Sequence, residues 1–318
     1  MVKTVVSLGL PVDEVLEIKK NRLVPQGELT GKEKRISIVT GVHGDELEGQ
    51  YVCFEVNRII KENMDKLTGI VDIYPALNPL GIDSITRSIP AFDMDMNRLF
   101  PGALDGNMTE SMSAQIIEDI AGSDACVDIH ASNIFLTEIP QIRINELNKD
   151  TLVPLAKELN IDLIWIHGAA TVLEATLAHS LNSRGVPTLV VEMGVGMRIT
   201  KEYCNQLVDG VFNLMAKLGI WQGEVKAPRT PIISENPDDV SYLNASTAGV
   251  FVPSAKHLQM LKAGDEIGRI IDPLQGEVLD TILAPVDGIL FTIREYPVVD
   301  EGSLMGRMLR GEVVYQEV

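Results

Sequence analysis

The sequence predicts an α/β fold, a β-sheet with helices on both faces, followed by a small all-β unit. Two patterns point there. Between residues 35 and 218, short apolar, β-branched runs alternate with stretches of helical spacing, as expected of a sheet covered on both sides. From about residue 227 prolines gather, no helical pattern returns, and a short glycine-turned unit occurs twice. The 318 residues allow one large domain or two smaller ones. The shift in composition places the division after Ala227, giving a domain of residues 1–227 and a β domain of residues 228–318.

Residues 1–30 alternate loosely around Pro11 and Pro25 and predict edge strands and turns. Arg35–Thr40 (RISIVT) predicts a strand, and Gly41-Val42-His43-Gly44-Asp45-Glu46 a glycine turn opening into a helix over Tyr51–Met64. Gly69–Pro79 predicts a buried strand stopped by Asn78-Pro79. Gly81–Gly106 is a polar loop carrying Arg87, Asp93, Asp95, Asn97 and Arg98. A helix over Thr109–Ala121 takes Thr109 as its N-cap, and Asp124–His130 predicts a strand ending on histidine. Helix over 150–160, strand over Ile161–Ile166 and helix over Thr171–Ser183 come next. The strand Val186–Glu192 ends on glutamate, and a last helix spans Lys201–Leu218. In such sheets functional groups gather beyond the carboxyl ends of the strands. His43, Asn78, His130 and Glu192 each fall at such an end.

In the tail, Ala248-Gly249-Val250-Phe251 leads, fifteen residues after Gly249, to Gly264 and then Gly268-Arg269. Asp287-Gly288-Ile289-Leu290 leads, fourteen after Gly288, to Gly302 and then Gly306-Arg307. The doubled unit predicts a compact pseudo-twofold β domain. Ala284-Pro285-Val286-Asp287-Gly288 resembles the barrel-sandwich domains that carry biotin or lipoate. The hairpin lysine of those carriers is missing, so a structural or regulatory tail is expected.

A formal charge of −18 argues against nucleic acid or an anionic membrane as partner, since both reward a basic face. A carboxylate-bearing substrate would need local arginines to overcome that field. Cys53, Cys126 and Cys204 form neither a disulfide framework nor a C-x-x-C site, which points to reduced thiols and a cytoplasmic location. No basic-then-apolar leader and no run of about 18 apolar residues occurs. The sequence leaves a homo-oligomer open.

His43 and Glu46 stand as H-x-x-E on a turn opening into a helix, where side chains three apart can converge. An imidazole with a carboxylate suits zinc, given a third ligand from elsewhere and one open position for water. A surface histidine near a helix start has the same local pattern. The order of the motifs along the chain narrows the choice. GVHGDELEG (41–49), NPLG (78–81), R-x9-NR-x-FPG (87–102), DIHAS (128–132) and VEMG (191–194) together resemble the zinc-dependent carboxypeptidase superfamily. Within it they resemble the succinylglutamate desuccinylase/aspartoacylase branch. The tail is similar to the small β domain that comes after the catalytic domain there.

That resemblance implies a carboxypeptidase-like mixed β-sheet and one zinc ion per chain, held by His43, Glu46 and His130. The metal would pull the pKa of a water towards about 7. Glu192 would take a proton from it, and Arg87 would stabilise the oxyanion. Asn97 and Arg98 would hold a substrate carboxylate, and Asp128 would orient a ligand. The implied activity is a zinc-dependent amidohydrolase removing an acyl group from a small N-acyl amino acid or related N-acylated amine. The alternative is a metallocarboxypeptidase acting on short peptides, and a third reading is a metal-binding scaffold without catalysis. Plainer roles stay open beside these: Arg87 and Arg98 paired with Asp93 and Asp95, Glu192 as a helix cap, His130 as a core histidine. Arg143 reads equally as a pocket residue or an ordinary one, and Arg198 sits on a glycine-flanked loop, where contact with a substrate and none both stay open. His167, His179 and His257 lack a partner pattern and read as ordinary, and Trp165 as core. Ser111-Met112-Ser113 stands where the family's helix has an acidic-basic pair.

Overall fold

The computed structural model describes residues 1–90, 92–168 and 174–311. The strands are β1 (Val2–Gly9), β2 (Val15–Leu23), β3 (Arg35–Thr40), β4 (Ile70–Tyr74), β5 (Ala125–Ala131), β6 (Leu136–Asn145), β7 (Leu163–His167) and β8 (Thr188–Gly194). The helices interleaved with them are α1 (Glu48–Glu62), α2 (Pro79–Ser84), α3 (Met108–Ile120), α4 (Lys149–Ala156), α5 (Leu177–Ser183) and α6 (Lys201–Lys217). The tail adds β9 (Ile232–Ser234), β10 (Val240–Asn244), β11 (Gly249–Pro253), β12 (Met260–Leu261), β13 (Glu266–Asp272), β14 (Glu277–Leu283), β15 (Gly288–Arg294), β16 (Val298–Val299) and β17 (Leu304–Arg310).

Among the described residues thirteen strands form one mixed sheet, whose main path runs β1-β2-β4-β3-β5-β8-β6-β15-β17-β10. The pairs β3–β4, β3–β5 and β5–β8 are parallel, while β8–β6 and β6–β15 are antiparallel. Alternation along the strands sorts the faces. Ile36, Ile38, Val127, Ile129, Leu189 and Val191 join α1 and α6 in one core cluster. Val39, Tyr74 and Cys126 join α3 and α5 in another on the opposite face. Asp128 and His130 alternate with Val127 and Ile129, so they share the second face with Cys126.

Several boundaries differ from the sequence reading, each for a local reason. Helix α1 begins at Glu48, three residues before the expected start. Helix α3 is capped by Asn107, not Thr109: Asn107 Oδ1 accepts from the amides of Thr109 and Glu110, and Glu110 reaches back to the Asn107 amide. The Asn78-Pro79 stop is itself a helix start, because Asn78 Oδ1 accepts from Gly81 N at 2.9 Å and Pro79 takes the first helical position. Helix α5 begins only at Leu177, behind a Thr176 cap. The remainder of the expected helix includes residues 171–173, which lie outside the described residues.

The stretch read as a linker is stitched to the sheet. Arg229 pairs with the buried Asp162 at 2.9 Å, and β9 pairs in parallel with β7. In the tail, the first repeat forms β11, β12 and β13 and the second β15, β16 and β17. The two copies trade their short strands: β12 of the first pairs with β15, and β16 of the second pairs with β11. One core cluster is built only from residues after 227, Leu243 to Met308. That supports the division after Ala227, which we retain as a proposal, although the sheet crosses it through β6 and β15.

Candidate metal centre

The glycines of the sequence motifs are places where main chain meets main chain or buried side chain. Gly41, at φ +67°, turns the chain off β3. A Cβ on Gly44 would lie 1.9 Å from the carbonyl carbon of Gly81, so the turn bearing His43 and Glu46 is locked directly onto the Asn-Pro-Leu-Gly turn. A Cβ on Gly194 would lie 1.8 Å from Glu48 Oε1. Glu48 is fully buried, and its other oxygen accepts from Thr200 N at 2.7 Å and Cys204 Sγ at 3.0 Å. The start of α1 is thereby tied to the chain beyond β8.

These contacts bring together His43, Glu46 and His130, each 3 % exposed. Glu46 lies between the imidazoles, with Oε1 2.7 Å from His43 Nδ1 and Oε2 2.9 Å from His130 Nδ1. Ala131 N also donates to Oε2, at 3.1 Å. One donor atom from each residue lies within 4.8 Å of the other two. The outer nitrogens meet carboxylates: His43 Nε2 is 3.1 Å from Asp95 Oδ1, and His130 Nε2 is 3.2 Å from Asp128 Oδ2, off the axis of a hydrogen bond. Burial opposes protonation of His43, but Glu46 and Asp95 outweigh it and raise its pKa. The same opposition, with Asp128 and Glu46, carries His130 well above the usual range. Burial would raise Glu46, yet the two imidazoles hold it below its ordinary value.

The donor set fits a divalent metal. Two imidazoles and one carboxylate converge from a turn and a strand end, and a carboxylate stands behind each imidazole, as ligating histidines require. The group could therefore bind a metal ion, in competition with the protons it now shares.

The eight residues given site roles from the sequence, Asp128 included, all line one cavity of about 760 Å³. Arg87 reaches Glu46 Oε1 at 3.1 Å and Asp95 Oδ2 at 3.3 Å, so it forms the salt bridge to Asp95 that the plainer reading expected, beside the candidate metal ligands. Asn97 Oδ1 accepts from Leu177 N at 3.0 Å, which leaves its amide NH2 for the cavity. Arg98 is exposed and donates to Asn97 O, and among the described residues it has no ion pair. Glu192 lies opposite His130 across β5 and β8. Burial pushes its carboxyl up, partly offset by Arg143 and His130.

The sequence reading missed part of the lining. His167, His179 and Trp165 face the cavity, and Arg143 does too. Trp165 takes the Arg143 guanidinium over its ring at 5.7 Å. From the tail, Tyr242 and Arg307 also line it. Arg198 does not: it pairs with Glu295 at 2.9 Å. His257 is bound between Tyr203 OH and Phe291 O, away from the centre.

Residues 32–218 match the profile of the succinylglutamate desuccinylase/aspartoacylase catalytic domain. An N-alpha-acetyl-L-2,4-diaminobutyric acid deacetylase of Halomonas elongata is 24% identical over 267 residues, covering 81% of this chain and 76% of that protein. Among solved structures, the product-bound ectoine utilization protein EutE (DoeB) of Ruegeria pomeroyi superposes with a TM-score of 0.82 at 18% identity, covering 98% of this chain and 95% of the other. A succinylglutamate desuccinylase/aspartoacylase of Rhodobacter sphaeroides superposes with a TM-score of 0.76 at 21% identity, covering 94% and 90%. These structural likenesses establish a shared fold. Among the described residues no helix is long and apolar enough to cross a membrane.

Proposed function

Since this chain belongs to the succinylglutamate desuccinylase/aspartoacylase family of N-acyl amino acid deacylases, we propose that it is a zinc-dependent deacylase. Its substrate is a small N-acyl amino acid or related N-acylated amine that carries a carboxylate. The observation that carries this reading is the convergence of His43, Glu46 and His130 in a cavity that Arg87 and Glu192 also line. Those three residues would hold the zinc, which supplies a Lewis acid for the amide carbonyl and acidifies a water.

The remaining steps belong to the side chains. Glu192, with its raised pKa, takes a proton from the attacking water and hands it to the departing amine as the C–N bond breaks. Arg87 donates to the oxyanion that forms when the C–O bond is made. The free amide of Asn97 and the unpaired guanidinium of Arg98 grip the carboxylate, a planar fork meeting a planar anion. Asp128 holds the His130 ring in place. Three free, buried cysteines support a cytoplasmic location.

The test is a chelated and zinc-restored preparation assayed on N-acetyl and N-succinyl amino acids, including N-acetyl-diaminobutyrate after the Halomonas relative, beside a dipeptide panel. Turnover of an acyl amino acid that vanishes on chelation and returns with zinc is expected. Turnover of dipeptides alone would put the metallocarboxypeptidase reading in its place. A Glu192→Gln variant should keep its metal and lose about 10²- to 10⁴-fold in rate; loss of zinc from a folded Glu192→Gln would refute the base assignment.

A further inference from the structure

Three residues that line the cavity, Glu138, Tyr242 and Arg307, lie in one row of the sheet that crosses the division at 227. Tyr242 of β10 lies opposite Arg307 of β17, Arg307 opposite Thr292 of β15, Thr292 opposite Glu138 of β6, and Glu138 opposite Gly194 of β8. Opposite residues share a face of the sheet, so these side chains project together. In the next row Gln141 lies opposite Glu192, and in the one after, Arg143 opposite Val190. One extra residue of β6 between Glu138 and Gln141, a β-bulge, brings Glu138 onto the same face as Arg143.

Glu138, 1 % exposed, takes three donors. Arg307 Nη1 lies 2.5 Å from its Oε1, while Arg143 Nη2 at 2.7 Å and Gln141 Nε2 at 2.8 Å share its Oε2. Arg143 Nη1 turns the other way, 3.5 Å from Glu192 Oε1. Both guanidiniums lie over the Trp165 ring, at 5.7 Å and 5.8 Å, and Arg307 also lies over Tyr242 at 5.7 Å. A guanidinium beside a carboxylate with both oxygens free prefers the two-pronged pairing. Here Arg307 holds one oxygen, and Arg143 reaches Glu138 with one nitrogen only.

We propose that Arg307, supplied by the C-terminal β region, is a positioning residue for Glu192: by occupying one oxygen of Glu138 it makes Arg143 divide its guanidinium between Glu138 and Glu192. This rests on the reading of Glu192 as the base. Without Arg307, Arg143 closes both prongs onto Glu138 and releases Glu192. The C-terminal region thus acts on the chemistry through Glu138 and Arg143.

The experiment uses the full chain, zinc-loaded, with the best substrate of the acyl amino acid panel. Arg307→Met should lower kcat about tenfold, the scale of one charge-assisted hydrogen bond, with KM and zinc content close to wild type. Arg307→Lys, which can still occupy Oε1, should recover most of the rate. A crystal structure of Arg307→Met should show Arg143 forked on Glu138 and withdrawn from Glu192. An unchanged kcat, a raised KM at unchanged kcat, or Arg143 still bridging both carboxylates would overturn the proposal. If Arg307→Met does not fold, Arg143→Lys takes its place: one ammonium cannot span both carboxylates, so kcat should fall, and wild-type kcat would overturn the proposal. Wild-type turnover by Glu192→Gln would instead strike the base assignment, leaving the crystallographic comparison to judge the Arg143 geometry by itself.

Discussion

Gly44→Ala is the most economical way to ask whether the metal site depends on interlocked main chain. The added Cβ would stand 1.9 Å from the Gly81 carbonyl carbon and 2.3 Å from its oxygen. Opening the closer contact to an ordinary 3.4 Å takes about 1.5 Å of movement, shared between two backbone turns. No flexible side chain can absorb it. His43 precedes this glycine and Glu46 lies two residues beyond it, whereas His130 sits on β5 and stays where it is. Metal coordination tolerates errors of about 0.2 Å. Even half of the displacement, arriving at His43 and Glu46, therefore breaks the three-point arrangement. We expect zinc affinity to fall about 10- to 100-fold, comparable to the loss of a residue that supports a ligand, with folding retained. Chelator competition measures the affinity and circular dichroism the fold. Gly9→Ala is the control, because nothing lies within 4 Å of its Cβ position. If Gly44→Ala binds zinc as tightly as Gly9→Ala, the interlock does not set the site.

Three further outcomes are expected. Arg98→Ala should raise KM for carboxylate-bearing substrates and leave kcat nearly unchanged; steady-state kinetics showing the same KM as wild type would remove the carboxylate clamp. Arg87→Met should lower kcat by about 10²-fold, the effect of losing one oxyanion donor, and single-turnover rates equal to wild type would exclude that role. Asp72 is fully buried with Lys20 at 3.2 Å and Arg22 at 2.5 Å. Burial would raise its pKa, but the Arg22 hydrogen bonds and the two cations hold it below the usual range. A depressed carboxylate contributes stability above its unfolded pKa of about 3.9 and loses it as pH falls through the folded value. Asp72→Asn should thus cost about 3–5 kcal/mol at pH 7, as breaking a buried pair does, and the gap from wild type should narrow below about pH 4. Urea melts at pH 7 and pH 3 showing an equal gap would contradict it.

The parts of this molecule legible in the sequence are those whose signal is local. His43, His130 and Glu192 declare themselves because strands are short apolar runs, and their ends are visible. The doubled glycine unit of the tail is equally plain, since both copies carry a Gly-Arg pair at matching places. What stays hidden is pairing across distance. Glu138 and Arg307 stand 169 residues apart and meet because β6 borders β15 and carries a bulge that no composition rule marks. Asp95 is visible as a residue of the polar loop, but its contact with His43 Nε2 depends on the path of that long loop. The misplaced cap of α3 has a different origin: Asn107 and Thr109 are both good caps, and only Asn107 has Glu110 at the reciprocal spacing. His179 shows a third limit, because a histidine in the first turn of α5 gives no hint of the cavity wall it joins.

The exchange of β12 and β16 between the two repeats has a practical meaning for dissecting the chain. In a tandem of self-sufficient hairpins, either could be cut away and the other would survive. Here deleting residues 249–272 also strips β15 of a neighbour, and deleting 288–310 does the same to β11. Shortened versions of this tail are therefore sound only when both copies are kept, since removing both would also take β15 from β6.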